Sequence, residues 1–149
     1  MTDTFIMRWP SLRKKVRCQK MKDNRHIFDW FEDQLPLKAV QGHTMVSGWN
    51  LYNVAIPLKR RMTWKPGTEV MSDPTKGPDG RMSLSSPSGL VGEMGIRHGV
   101  GTEDIDVPDF AQVRPEDLPI LREVGAAQWK AVIQTKEVIV VEFVKADEA

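Results

Sequence analysis

Two histidines in apolar segments are the residues of this chain best suited to proton chemistry. His43 lies within residues 41–48 and His98 within residues 92–99. Imidazole is the side chain whose ordinary pKa lies closest to neutral pH, so two of them on adjoining strands would form an acid–base site. If the two segments do not adjoin, the sequence describes a plain globular domain.

An acid and a fixed cation accompany the second histidine. In a regular strand Glu93 and Arg97 share a face, where they could pair with each other or bind a substrate carboxylate. A bulge at Gly95 would instead bring Glu93 and His98 to one face. The sequence leaves both arrangements open, and a hydrogen-bonded core histidine beside a cross-strand ion pair is the structural alternative.

Two aromatic residues flank the first histidine segment. Trp49 and Tyr52 could stack on a planar ligand, although aromatic residues beside a turn also serve packing alone. The candidate site therefore has three expected proton-transferring residues and three expected substrate-binding residues, which are His43, Glu93 and His98 in the first group and Arg97, Trp49 and Tyr52 in the second.

The sequence gives little support for metal, cofactor or thiol chemistry. The three histidines lack a metal-ligand spacing such as His-Glu-x-x-His, and a single cysteine cannot form the usual zinc clusters, so we expect no metal. No glycine-rich loop joins a strand to a helix as phosphate binding requires, and we expect no cofactor. Cys18, between Val16 and Gln19, is expected to be a reduced core residue of a cytoplasmic protein.

Composition favours a single domain over residues 1–149 that acts on small molecules. The chain carries 21 Lys and Arg against 20 Asp and Glu, which gives no electrostatic reason to expect nucleic acid or an anionic membrane as partner. No run of about 18 apolar residues occurs, so neither a membrane span nor a secretion signal is expected.

The apolar pattern predicts several strands and two helices. Strands are expected over residues 15–21, 38–47, 50–56, 68–71, 90–98 and 136–144, the last buried on both faces. An amphipathic helix capped by Asn24 is expected over residues 24–35, and a second helix is expected to follow Pro115. Residues 72–89 have loop composition throughout and predict a long loop or lid. The basic residues 59–61 are expected to be solvated.

The order of these segments resembles that of the cyclophilin-like barrel superfamily, and within it a bacterial group that includes cucumopine synthase. The resemblance covers about residues 11–144. It depends on the helix that ends in Leu35-Pro36, the segment 43–48, the turn Pro66-Gly67, the segment Ile96-Arg97-His98-Gly99, and Gly125-x-x-x-Trp129 before the last strand. It implies a closed, eight-stranded antiparallel barrel with two helices.

The resemblance does not imply prolyl isomerase activity, because Gly42-His43-Thr44 replaces the Phe-His-Arg of true cyclophilins. It implies either imine formation with ring closure or the opening of a cyclic amide. We therefore expect a metal-free acid–base enzyme that acts on a small carboxylate-bearing nitrogen compound or cyclic amide and that assembles as a homo-oligomer. The alternatives are a non-catalytic binding subunit of an amidohydrolase complex and a purely structural barrel.

Overall fold

The computed structural model describes residues 3–45, 48–57, 80–85, 91–99 and 108–148, with the side chains of 54–57, 85 and 91–93 left aside. Within these ranges the chain forms eight strands and two helices. The strands are β1 (Thr4–Trp9), β2 (Lys14–Lys20), β3 (Leu37–His43), β4 (Asn50–Pro57), β5 (Arg81–Ser85), β6 (Val91–Arg97), β7 (Asp109–Val113) and β8 (Ile139–Lys145). The helices are α1 (Arg25–Asp33) and α2 (Leu118–Lys130).

The strands close into a barrel in the order β1-β2-β7-β5-β6-β4-β3-β8. Every pairing around the ring is antiparallel. Closure leaves no unpaired strand edge, so the backbone polar groups of each strand are bonded on both sides. The predicted fold, a closed eight-stranded antiparallel barrel with two helices, is confirmed.

Helix α1 supplies an aromatic core at the end of the barrel where β1 and β3 begin. Its Phe31 ring lies 5.1 Å from Phe5, 5.2 Å from Phe143 and 5.6 Å from Phe110, measured between centroids, and all four are fully buried. Each buried Phe side chain contributes about 1.5–3 kcal/mol relative to an exposed one. The predicted amphipathic helix is therefore present and anchors the barrel.

Helix α2 lies against the end of the barrel where β3 finishes. Leu121, Val124 and Gln128 face inward and are buried, as the helical spacing predicts. A single π-helical turn, Ala131–Thr135, follows before β8 begins. The polar side chains at the end of β3 are thereby covered by a helix.

Three sequence expectations need correction. Strand β8 is buried on one face only, since Val140 is 40% exposed beside the buried Ile139 and Val141. Residues 81–85, expected within a long loop, form β5, where Met82 and Leu84 point inward and serines alternate with them.

The third expectation concerns the cap of α1. Asn24 begins the helix in the left-handed region, with φ of 58°, and makes no side-chain capping bond, while its Nδ2 donates to the Asp109 carbonyl. Of the two arrangements of β6 that the sequence leaves open, the regular one is present, because pairing runs without a shift through Gly95 and the shift lies between Asn53 and Ile56 of β4. The basic run 59–61, the turn 66–67, the expected strand 68–71 and residues 72–79 and 86–89 fall outside the described residues.

Candidate functional site

The two histidines, 55 positions apart in sequence, meet directly inside the barrel end. His43 is the last residue of β3, and His98 follows the last residue of β6. Their Nε2 atoms lie 2.9 Å apart, and both residues are buried. Strand β4 brings them together because it pairs with β3 on one side and with β6 on the other.

The neighbouring backbone fixes where the protons of this pair reside. His43 Nδ1 lies 2.8 Å from the Thr44 carbonyl, which can only accept, so Nδ1 carries the hydrogen. In the neutral ring Nε2 of His43 is then an acceptor. The Nε2 of His98 must donate to it. The pair is therefore set as one acceptor and one donor facing each other.

Burial lowers the pKa of His43. Desolvation disfavours the imidazolium form and outweighs the opposing effect of the Thr44 carbonyl. His43 thus remains neutral at neutral pH, in the form that can accept a proton.

Helix α2 places two further groups against the pair. Gly125 lies against the His98 ring, since a Cβ at that position would overlap the ring atoms Cε1 and Nδ1. One helical turn later, Trp129 packs edge-on against His43 with centroids 5.0 Å apart. Residues four apart share a helix face, so one face of α2 contacts both histidines.

Trp49 completes a cluster of four rings. Its indole lies 5.8 Å from each histidine ring and 6.0 Å from Trp129, between centroids, and its carbonyl accepts from the His98 backbone N–H. Gly99 leaves room for it, since a Cβ there would lie 3.0 Å from the Trp49 side chain. Trp49 remains 49% exposed, which opens the cluster to solvent on that side.

A buried amide network lies one layer below the pair. Gln41 Oε1 accepts from Trp9 Nε1 at 2.6 Å and from Gln128 Nε2 at 2.9 Å, and Gln41 Nε2 donates to Asn53 Oδ1 at 2.9 Å. Asn53 Nδ2 is a buried donor with no partner among the described residues. Because Gln41 and His43 are two positions apart on β3, the network holds α2 on the strand that carries His43.

Arg97 is occupied by a carboxylate of the protein. Its Nη2 lies 2.9 Å from Asp109 Oδ1, and both residues are buried. Arg81 lies 3.7 Å from the other Asp109 oxygen. Removing either member of such a buried pair leaves an uncompensated charge, so the pair is a structural element of this wall. In the regular strand Arg97 and His98 leave opposite faces.

Another expected site residue, Tyr52, lies apart from the pair. Tyr52 pairs with Gly42 across the strands, and its ring covers that glycine on the outer face of the sheet, away from His43. The side chain of Glu93 lies outside the described part of the structure. The structure thus joins His43, His98 and Trp49, while the expected roles of Glu93 and Tyr52 stay predictions.

Sequence reasoning did not place Trp129, Gln41 or Asp109 at the site. The Gly125-x-x-x-Trp129 spacing carried the signal for the first, because it puts a small residue and an aromatic one on the same helix face. Within the described residues no group of three or more His, Cys, Asp or Glu side chains is arranged to hold a metal ion. No helix of the described chain has the length and apolar character needed to cross a bilayer.

The protein is thus a closed barrel that carries a buried histidine pair under aromatic side chains at one end. A solved structure of McbB in complex with tryptophan is similar to this chain, with 28% sequence identity and a TM-score of 0.83. The match covers 97% of this chain and 45% of McbB, so the chain spans less than half the length of that protein. No family model and no curated protein matches. The likeness supports the predicted barrel fold.

Proposed function

We propose that this protein is an enzyme that moves protons on a small, carboxylate-bearing nitrogen compound, with His43 and His98 as the acid–base pair. The observation that carries the proposal is the 2.9 Å contact between their Nε2 atoms. The Nε2 donor of one histidine faces the Nε2 acceptor of the other inside an apolar cluster. A substrate atom that enters between them could receive a proton from the first and lose one to the second.

The proton positions assign the two roles. His43 Nε2, bound to no hydrogen, acts as the base, and its lowered pKa keeps it available at neutral pH. His98, with a hydrogen on Nε2, acts as the acid. When an amine adds to a carbonyl, the base takes one proton from nitrogen and the acid gives one to oxygen, which yields a carbinolamine. A second transfer of the same kind removes the remaining nitrogen proton and protonates the hydroxyl, so that water leaves and the imine is complete. Ring closure or the reverse opening of a cyclic amide needs the same two transfers.

The aromatic cluster favours an aromatic amino acid as the substrate. McbB was solved with tryptophan, and here Trp49 and Trp129 present indole edges and faces beside the pair. Aromatic pairs prefer tilted or edge-on arrangements such as those already present, and each contributes about 0.5–1.5 kcal/mol. We therefore place an indole-bearing amino acid next to Trp49, on the exposed side of the cluster.

The substrate carboxylate requires a cation. The expected role of Arg97 as that cation would require the substrate to displace Asp109 from it, and the role of Glu93 as a third proton-transferring group stays a prediction. The Arg97 guanidinium retains a donor for such an exchange, because its Nε has no hydrogen-bond partner among the described residues.

Incubation of the protein with L-tryptophan and a panel of 2-oxo acids and aldehydes, followed by mass spectrometry, tests the proposal. We expect a product heavier than tryptophan by the carbonyl compound less one water. His98→Asn is expected to reduce the rate about 10²-fold or more, since it removes the acid. His26→Asn, the same substitution at an exposed histidine of α1 outside the site, is the matched control and should retain the wild-type rate. Absence of any condensation or ring-opening product would refute the enzymatic proposal.

A binding subunit without turnover is the second candidate. The Arg97–Asp109 pair favours it, because a cation already held by the protein is less available to a substrate. Saturable tryptophan binding without product would identify this function. Assembly as a homo-oligomer, a cytoplasmic location and a place in the cucumopine synthase-like group remain predictions.

A further inference from the structure

A groove lies beside the connection between β1 and β2, on the outside of the barrel. It has a volume of about 490 Å³ and is lined by four cations and one carboxylate, which are Arg8, Arg13, Lys14, Lys15 and Glu142, together with Trp9 and Pro10. The entire chain carries a net charge of only +1. Positive charge is therefore concentrated in this groove.

The cations differ in how far they are neutralised. Arg8 bonds Glu142 at 2.7 Å, and Lys14 bonds Glu123, which lies outside the groove. Arg13 and Lys15 are exposed and form no ion pair with the described residues. These two side chains are the uncompensated charges of the groove.

The local backbone presents Arg13 in a fixed direction. A 3-10 turn, Pro10–Leu12, ends at Arg13, whose φ of 54° is left-handed and whose N–H donates to the Pro10 carbonyl. Proline fixes one end of the turn and the hydrogen bond fixes the other. Lys15 extends the charge further, because it also lines a neighbouring cavity of about 250 Å³ with Arg17 and Arg114.

We propose that this groove binds a small anion with phosphate or carboxylate groups, held chiefly by Arg13 and Lys15. Guanidinium groups bind the oxygens of both anions in pairs, and ammonium adds a point charge. The volume lies within the usual range of small-molecule sites, whereas an acidic macromolecule needs a broader surface. Trp9 lines the groove and also donates to Gln41, but the groove is distinct from the histidine pair.

Calorimetric titration at constant, low ionic strength tests the site, with inorganic pyrophosphate as the phosphate probe and citrate as the carboxylate probe. We expect saturable binding of at least one probe, and the stronger one identifies the anion class. The double variant Arg13→Ala/Lys15→Ala should weaken this binding about tenfold or more. Lys22→Ala/Arg25→Ala removes one lysine and one arginine at the other end of β2 and should leave it within about twofold.

Two results would overturn the proposal that the groove binds a small anion. Equal weakening in both double variants would show general charge attraction, and the absence of saturable binding by either probe would also overturn the proposal. Nuclear magnetic resonance provides a second measurement, because the indole N–H signal of Trp9 should shift on saturation. Shifts at His43 and His98 with no shift at Trp9 would place the anion at the histidine site instead. The tryptophan assay above is unaffected by this outcome.

Discussion

The position of each histidine of the pair depends on a small or hydrogen-bonding neighbour. Thr44 supplies a carbonyl that fixes the proton of His43, and Gly125 supplies a surface without a Cβ on which the His98 ring lies. Neither residue belongs to a recognisable catalytic motif. The chemistry of the site therefore depends on contacts that the types of the two histidines alone cannot specify.

Gly125→Ala should destabilise the protein by about 1–3 kcal/mol, because the added methyl overlaps the His98 ring. Alanine is the better helix former by about 1 kcal/mol, so helix propensity alone predicts the opposite sign. Urea unfolding measures the difference. Ala126→Gly, at the next and exposed position of α2, is the control for propensity and should cost about 1 kcal/mol. A stabilised Gly125→Ala protein would show that the His98 ring is not held against this helix.

Individual elements were predictable where their pattern was local. Helix α1 and the inward face of α2 follow apolar spacing, and β2, β4 and β6 lie close to their predicted positions. Strand β1 was not predicted, β5 was hidden by surrounding prolines, glycines and serines, and β7 was hidden between prolines. In β8 a continuous apolar run indicated burial on both faces, while barrel closure leaves one face to solvent.

The site was less predictable than the elements. His43 and His98 were identified by type, but their contact depends on β4 lying between β3 and β6, which is a long-range pairing. The role of Arg97 depends on Asp109, a residue of a strand that was not predicted. Local periodicity carries no information about such partners.

The amide network predicts that substitutions of Gln41 and Gln128 weaken the attachment of α2 by different amounts. Gln41→Leu leaves Trp9, Gln128 and Asn53 without the bonds they now form, so it should lower the free energy of unfolding by about 3 kcal/mol or more. Gln128→Leu removes one bond while Gln41 keeps the Trp9 donor, and about 1 kcal/mol is expected. Urea unfolding of both variants gives the comparison. Equal costs would contradict a network centred on Gln41.

For the whole molecule, the buried pair makes stability depend on pH. The pKa of His43 is lowered in the folded protein from an ordinary value of 6.5. Below pH 6.5 the unfolded chain therefore binds a proton that the folded chain does not, and the free energy of unfolding falls as pH falls.

We expect the free energy of unfolding to fall progressively as the pH is lowered below 6.5, with little change above pH 7. Urea midpoints at a series of pH values measure it. His43→Asn should flatten the dependence, whereas His26→Asn, which removes an exposed histidine outside the site, is the control. An unchanged slope in His43→Asn would assign the acid sensitivity to other groups.

The barrel has an aromatic, histidine-bearing site at one end and a cationic groove on its outer face. One end contains the histidine pair under aromatic rings, while the outer face beside the β1–β2 connection carries the uncompensated cations. A substrate with an aromatic body suits the first and a compact anion suits the second. The net charge of the chain, close to zero, does not indicate this difference, because composition gives no information on where the charged residues lie.

Long-range proton–nitrogen spectra of the histidine rings, recorded with and without saturating L-tryptophan, test the central claim most directly. We predict a hydrogen on Nδ1 of His43 and on Nε2 of His98 in the free protein, and a shift of both rings when tryptophan binds. A hydrogen on Nε2 of His43, or saturable binding that leaves both rings unchanged, would contradict the assignment of this pair as the site of proton transfer.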